Sequence, residues 1–201
     1  MKLTKDKISE LPHIKFNGKK ICLLTNYRTA STYFIRETFF TNKIPPTGNW
    51  EHFNQRNFLT AYKELKHVNK FILKLMPDQI DLAYEKFEAI NTICDEIIYL
   101  YRRDFEAQAK SWLAWNLSGD YEHHWGEEKQ FDIKTTQEVA DAHTQQLIDN
   151  YKFIKTIFKK YPGSVYCMED FPIYRPYNRK YNWINEVKIQ PFNTHKEVFR
   201  S

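Results

Sequence analysis

Residues 21–40 read ICLLTNYRTASTYFIRETFF, and this stretch decides how the rest of the chain is read. With Lys20 in front, KICLLT (20–25) is a short apolar run, the pattern of a buried strand. The run breaks into Asn-Tyr-Arg-Thr-Ala-Ser-Thr, after which Phe34, Ile35, Thr38 and Phe39 recur at helical spacing. Strand, turn and helix in that order can cradle an anion, because the first helical N–H groups and the helix dipole both favour negative charge. Arg28 adds a permanent cation, and Ser31 and Thr32 add hydroxyl donors, either of which could cap the helix. There is no Gly-Lys-Ser/Thr here, so the lysine and the magnesium-binding hydroxyl of a nucleoside triphosphatase are missing. Two readings stay open on this stretch alone: an anion cradle, or a hydroxyl-capped helix beside a solvated arginine.

Outward from the turn, strands and helices alternate. NFLTAYKELKHV (57–68) has helical character, and KFILKLM (70–76) is a second strand closed by Pro77. Ile80, Ala83, Tyr84, Phe87 and Ile90 form a helix face. EIIYLY (96–101) is the clearest strand; it runs into Arg102-Arg103-Asp104 and a helix carrying Phe105, Ala109, Trp112 and Leu113 on one side. Residues 117–134 are polar and aperiodic, which predicts a loop. A long helix is expected over 137–160, where Leu147, Tyr151, Ile154 and Phe158 are spaced 4, 3 and 4 apart. Pro162-Gly163 ends it, SVYCME (164–169) is a fourth strand, and nothing regular is expected from Phe171 on. Alternation of this kind means right-handed crossovers and a mostly parallel sheet with helices on both faces, in one α/β domain over 1–201. Ligands of such sheets bind at the carboxyl ends of the strands, here Tyr27–Thr32, Leu75–Asp78, Arg102–Asp104 and Glu169–Asp170.

The whole-chain numbers narrow the class without choosing a reaction. A formal charge of +5 permits an anionic partner, but the basic residues are scattered, and nucleic-acid binding would need a patch. Three cysteines, Cys22, Cys94 and Cys167, lie in apolar runs without framework spacing, which argues for free thiols and a reducing compartment. No run approaches the ~18 apolar residues of a membrane span, and MKLTKDKISELPHIKFNGKK has no signal-peptide core. The expected place is the cytoplasm, with no membrane and no nucleic acid as partner.

YLYRRDFEAQAKSWLAW (99–115) turns the balance toward the anion cradle. It resembles the segment by which sulfotransferases bind the 3′-phosphate of PAPS, the activated-sulfate nucleotide, where an arginine ends the strand and a serine stands eight residues on, as Arg103 and Ser111 do here. Within that family the chain resembles the bacterial trehalose sulfotransferase-like branch. RTAST (28–32) is similar to its Arg-Ser-Gly-Ser-Thr turn, GNWEHF (48–53) to its Gly-Glu-Pro-x-Glu-Phe-Phe loop with one residue fewer, and KLMPDQ (74–79) to the end of its second strand. Glu169-Asp170 resembles the family's Tyr-Glu-Asp. The likeness covers about residues 20–170, through short motifs in the family's order.

The resemblance implies a P-loop-like three-layer sandwich and transfer of a sulfuryl group from PAPS, leaving PAP, to a hydroxyl of a small or carbohydrate-like acceptor, in line and without a metal ion. It implies that Arg28, the N–H groups of Thr29 and Ala30, and the N–H groups and hydroxyls of Ser31 and Thr32 hold the 5′-phosphosulfate. Arg103 and Ser111 would take the 3′-phosphate, with Met168 against the adenine where many relatives carry tyrosine. Glu51 aligns with the branch's general base; His52 beside it titrates nearer neutrality and is the second candidate. Met76 stands where animal enzymes place their catalytic histidine and cannot serve. Lys74 could reach the sulfate or could pair structurally with a carboxylate. Ala30 replaces the family's glycine, which strains any left-handed turn there. The family's basic C-terminal phosphate motif is missing, and Arg175 or Arg179 are candidates to take its part. Trp50, Trp112, Trp115, Tyr121, His123, His124 and Trp125 supply aromatic and polar surface suited to a sugar, although Trp112 also fits a core stripe. His123-His124 with Glu127-Glu128 lacks the i, i+4 spacing of a helical zinc site and is read as polar loop. Two alternatives remain: a non-catalytic nucleotide binder on the same fold, and a P-loop kinase, which the missing lysine disfavours.

Overall fold

The structure, a computed structural model, describes residues 19–35, 58–77, 84–119, 128–171 and 178–200. Four strands, β1 (Lys20–Thr25), β2 (Phe71–Leu75), β3 (Glu96–Tyr101) and β5 (Ser164–Cys167), form one sheet in the order β2-β1-β3-β5. All three pairings are parallel, with Cys22 opposite Leu73 and Ile97, and Leu100 opposite Tyr166. Between them lie α1 (Phe58–Lys66), α2 (Tyr84–Asn91), α3 (Phe105–Ser118) and α4 (Gln137–Lys160), and residues 31–35 are helical. The α/β class, the parallel sheet and the boundaries of β1, β3 and α4 agree with the sequence reading.

Side-chain alternation assigns each helix to a face of the sheet. Cys22, Leu24, Phe71, Leu73, Leu75, Ile97, Tyr99 and Tyr101 point to one side, where they pack on Leu65 of α1, Phe87 and Ile90 of α2, Phe105, Ala109 and Trp112 of α3 and the stripe Leu147, Tyr151, Ile154 and Ile157 of α4. Ile21, Leu23, Ile72, Ile98 and Leu100 point to the other side and meet Phe34, Ile35 and Met168. Strands buried on both faces need near-continuous apolar runs, which is why EIIYLY was so legible.

Two segments depart from expectation. Residues 117–134 contain the strand β4 (Glu128–Ile133), and the tail contains β6 (Asn178–Trp183), parallel to it in a separate two-stranded sheet. Neither has a clean apolar alternation, because one small cluster holds this sheet to the body: Leu113 and Ala140 against Val187, with Trp183 beside them. Side-chain amides do the rest: Asn185 exchanges bonds with the backbone of Thr135, and Gln137 with the backbone of Lys188. The tail is likewise ordered by aromatic insertion rather than periodicity. Phe192 packs on Phe105 and Tyr151, and Phe199 on Tyr99, Tyr101 and Phe158. Among the described residues no helix is long and apolar enough to cross a membrane.

Gly163, between α4 and β5, sets how closely that junction can approach β3. A Cβ there would lie 2.2 Å from the Ile97 carbonyl oxygen, a backbone atom that cannot swing aside. Gly163→Ala should therefore destabilise the fold by about 1–3 kcal/mol through overpacking. A urea midpoint equal to wild type would show that the junction is not under this constraint.

Candidate functional site

From β1 the chain first crosses to β2 on one side, then returns to β3 on the other, so the switch point of the sheet lies between the carboxyl ends of β1 and β3. The turn after β1 and the turn after β3 meet there. Asn26, fully buried, anchors the first turn: its amide nitrogen donates to the Leu147 carbonyl (2.8 Å), and its amide oxygen accepts from the Tyr27 N–H (2.8 Å) and the Asn150 side chain (3.1 Å). Thr29 is turned inward, where its hydroxyl donates to the Asn26 carbonyl (3.0 Å) and meets the hydroxyl of Thr25. The Tyr27 ring lies flat on Trp112, 3.9 Å between centroids, and Trp115 continues the stack.

Locked in this way, the backbone adopts a conformation that side chains resist. Arg28 has φ 56° and Ala30 φ 58°, both left-handed, and among the described residues no other non-glycine does so. Each such residue costs about 1–2 kcal/mol. The named hydrogen bonds contribute about 1 kcal/mol each, the same scale, so the turn keeps its shape only while they hold. Ala30 thus occupies the left-handed position that a glycine would take without strain. The Phe34 N–H bonds to the Ala30 carbonyl (3.1 Å), so Ala30 holds the position before the helix and Ser31 is its first residue. This corrects the expected capping: neither Ser31 nor Thr32 stands at the cap. Ser31 is 9% exposed and Thr32 half-buried.

Arg28 and Ser111, 83 residues apart, are brought into contact: Nε of Arg28 donates to Oγ of Ser111 at 3.0 Å. Ser111 stands in the middle of α3, so this bond ties the first turn to the helix that follows the second. Arg103 is at the β3 exit, largely exposed, with its guanidinium 2.6 Å from the Asp170 carboxylate. Glu169 stitches that exit to β5, accepting from the backbone N–H of Arg103 (2.9 Å) and of Asp104 (3.3 Å), from Arg102 Nε (3.3 Å) and from the Cys167 thiol (3.1 Å). Partial burial works to raise the Glu169 pKa, but these donors outweigh it and bring the carboxyl down to about 2. Asp104 caps α3 through the Ala107 N–H (2.9 Å).

The other expected site residues fall elsewhere. Lys74 is buried on β2 opposite Leu23, on the sheet face that bears the 31–35 helix. Met168 has no exposed surface; it packs in the second core with Ile98, Leu100 and Phe34. Trp112 is a core residue, as its stripe allowed, and Trp115 is half-buried against it. Glu51, His52, Trp50, Tyr121, His123, His124, Trp125 and Arg175 lie outside the described residues, as does the side chain of Arg179. Sequence reading missed Asn26, Gln108 and Tyr151. Gln108 could have been found: it follows Phe105 by three and precedes Trp112 by four, a polar side chain on an apolar face. A cleft of about 540 Å³ opens at the opposite end of the sheet, at the amino ends of β3 and β5, lined by Asp95, Glu96, Lys160 and Ser164 among others. Its charges are already used within the fold: Asp95 accepts the Lys19 and Lys20 N–H groups, Glu96 the Ser164 hydroxyl, and Lys160 pairs with Glu88. Comparison of the chain with protein-family models, curated proteins and solved structures gives no match.

Two measurements check this geometry. Glu169 has a folded pKa below the ordinary 4.5, so its contribution is complete above that value and is lost as pH falls toward about 2. Glu169→Gln should cost about 1 kcal/mol at neutral pH, and its urea midpoint should converge on wild type between pH 5 and 2; a pH-independent gap would contradict the assignment. Ala30→Gly should leave the melting temperature unchanged or raise it by the equivalent of up to about 1 kcal/mol, since relief of strain offsets the greater freedom of glycine when unfolded. A clear loss of stability would mean that residue 30 is not left-handed in solution.

Proposed function

We propose that this chain is a sulfotransferase that moves a sulfuryl group from PAPS to a hydroxyl of a small or carbohydrate-like acceptor. The observation that carries the reading is the bond between Arg28 and Ser111 across the switch point of the sheet. It joins the two segments that resemble the 5′-phosphosulfate and 3′-phosphate motifs, at the end of the sheet where a nucleotide of this kind would lie. The left-handed turn adds support, because alternating backbone conformations of this sort turn successive N–H groups toward one concavity that suits an anion. On this reading the fold is a P-loop-like three-layer sandwich that has dispensed with the triphosphate lysine, and the protein works in the cytoplasm.

Sulfuryl transfer asks the protein for position and fixed charge more than for covalent chemistry. The acceptor oxygen forms its bond to sulfur as the bond from sulfur to the leaving phosphate oxygen breaks, and PAP departs with that oxygen's new negative charge. Arg28 cannot lose its proton, so it balances this charge at any working pH. The N–H groups of 29–32 and the hydroxyls of Ser31 and Thr32 share the phosphosulfate, while Arg103 and Ser111 hold the 3′-phosphate. Arg103 would exchange the Asp170 carboxylate for that phosphate, an exposed pairing worth little and readily given up. Glu51 takes the acceptor proton, with His52 as second candidate, and Lys74 is assigned to the sulfate side. A sulfuryl group carries less charge than a phosphoryl group, so the chemistry needs no metal ion.

Calorimetry with PAP and with ATP-magnesium, followed by radiolabelled sulfate transfer to a sugar panel, tests the reading. PAP should bind, ATP-magnesium should bind more weakly, and Arg28→Ala, Arg103→Ala and Ser111→Ala should each weaken PAP by roughly tenfold or more, the loss of one charge-assisted contact. Unchanged binding in all three would sink the assignment. Binding of PAP with no transfer, and no effect of Glu51→Gln, would instead favour the non-catalytic binder.

A further inference from the structure

Gln108 is a polar side chain in the core that touches the turn's backbone from α3. It is fully buried; its amide nitrogen donates to the Tyr27 carbonyl at 2.6 Å and its amide oxygen accepts from the Tyr151 hydroxyl at 2.8 Å. Tyr151 is itself fully buried on α4, packed against Phe105 and Phe192. The Tyr27 carbonyl can only accept, so the amide nitrogen faces the turn and the amide oxygen is left to take the Tyr151 hydroxyl, which burial keeps protonated.

The held carbonyl belongs to the peptide that enters Arg28. A trans peptide is planar, with its carbonyl and its N–H on opposite sides. With the Tyr27 carbonyl drawn toward α3, the Arg28 N–H is turned the other way, and the chain then enters Arg28 at its left-handed φ of 56°. Rotation of this one peptide by about half a turn would carry Arg28 out of the left-handed region and release its strain. It would also put a carbonyl dipole where the N–H had been, and draw the guanidinium off Ser111. The structure has a restoring force toward that flipped state, and Gln108 is placed to oppose it.

We propose that Gln108, oriented by Tyr151, is a positioning residue for the anion site: it clamps the Tyr27–Arg28 peptide so that the turn keeps its donors outward and Arg28 on Ser111. The ligand part of this inference rests on the sulfotransferase reading; the clamp itself does not. Because Arg28 bonds Ser111, the same clamp relates the turn after β1 to α3, the helix that follows the β3 exit. That relation sets the separation of the two phosphate subsites, so the clamp selects nucleotides carrying anionic groups on both the 3′ and 5′ sides over those with only one.

The test uses Gln108→Leu and the longer Gln108→Met, both of which remove the two bonds, and the milder Tyr151→Phe. Ile154→Val on α4 is the control for plain loss of core packing. PAP and 5′-AMP affinities are measured by calorimetry below each variant's melting range, and amide hydrogen exchange is followed at Tyr27 and Phe34, whose N–H groups bond the Asn26 side chain and the Ala30 carbonyl. Both Gln108 variants should lose PAP affinity tenfold or more and 5′-AMP affinity by less; Tyr151→Phe should lose about threefold for PAP, and the control none at comparable stability. Exchange at Tyr27 and Phe34 should quicken in the Gln108 and Tyr151 variants and stay as wild type in the control. PAP affinities within twofold of wild type, or losses matched by the control, would overturn the proposal. Should the wild-type chain fail to bind PAP, the sulfotransferase reading falls, and the exchange data judge the clamp alone: quickened exchange supports it and unchanged exchange overturns it.

Discussion

A backbone held in a conformation it would otherwise leave is what the functional end of this molecule depends on. Arg28 and Ala30 carry side chains into left-handed geometry, at a cost of about 1–2 kcal/mol each that bonds within the turn offset only in part. The remaining compensation comes from distant parts of the chain: Leu147 and Asn150 of α4 through Asn26, Gln108 of α3 through Tyr27, and Trp112 beneath the tyrosine ring. Such a turn can exist only after α3 and α4 have docked on the sheet. Its shape is therefore a readout of tertiary packing, and strain of this kind tends to gather where a site needs donors aimed in advance.

The second turn is built on the opposite plan. After β3 the backbone is relaxed, and its order comes from one carboxylate. Glu169 collects two backbone N–H groups, one guanidinium and one thiol, so the end of β5 and the end of β3 behave as one unit. The two turns follow neighbouring strands of the sheet, and the bond from Arg28 to Ser111 ties the strained one to the helix that leaves the stitched one. Cations fixed at such a crevice would meet a bound anion without reorganising. Arg103 differs from the others: it is exposed and paired with Asp170, so it can change partner at little cost.

The outlying small sheet and the aromatic tail have a common logic. Neither makes a core of its own; each inserts a few side chains into gaps left by α3, α4 and the sheet edge. Phe192 lies against both Phe105 and Tyr151, so the tail buttresses the helix residues that orient Gln108. Packing far from the turn thereby reaches it through one short chain of contacts.

The alternation of apolar runs determined by itself that this is an α/β chain with a parallel sheet, since a strand buried on both faces must be apolar throughout and a helix on its face must repeat every three to four residues. KICLLT, EIIYLY and the stripe Leu147, Tyr151, Ile154 could hardly be anything else. The residue types at the strand exits, Arg28 and Arg103 among them, were equally legible, because the carboxyl ends of such strands are fixed once the strands are. What only the tertiary structure decided is who meets whom. That Arg28 touches Ser111, that Arg103 is met by Asp170, that Ala30 rather than a hydroxyl precedes the helix, and that β4 and β6 pair across fifty residues all depend on strand order and on long-range hydrogen bonds. Those terms arise between segments, and no periodicity within a segment carries them.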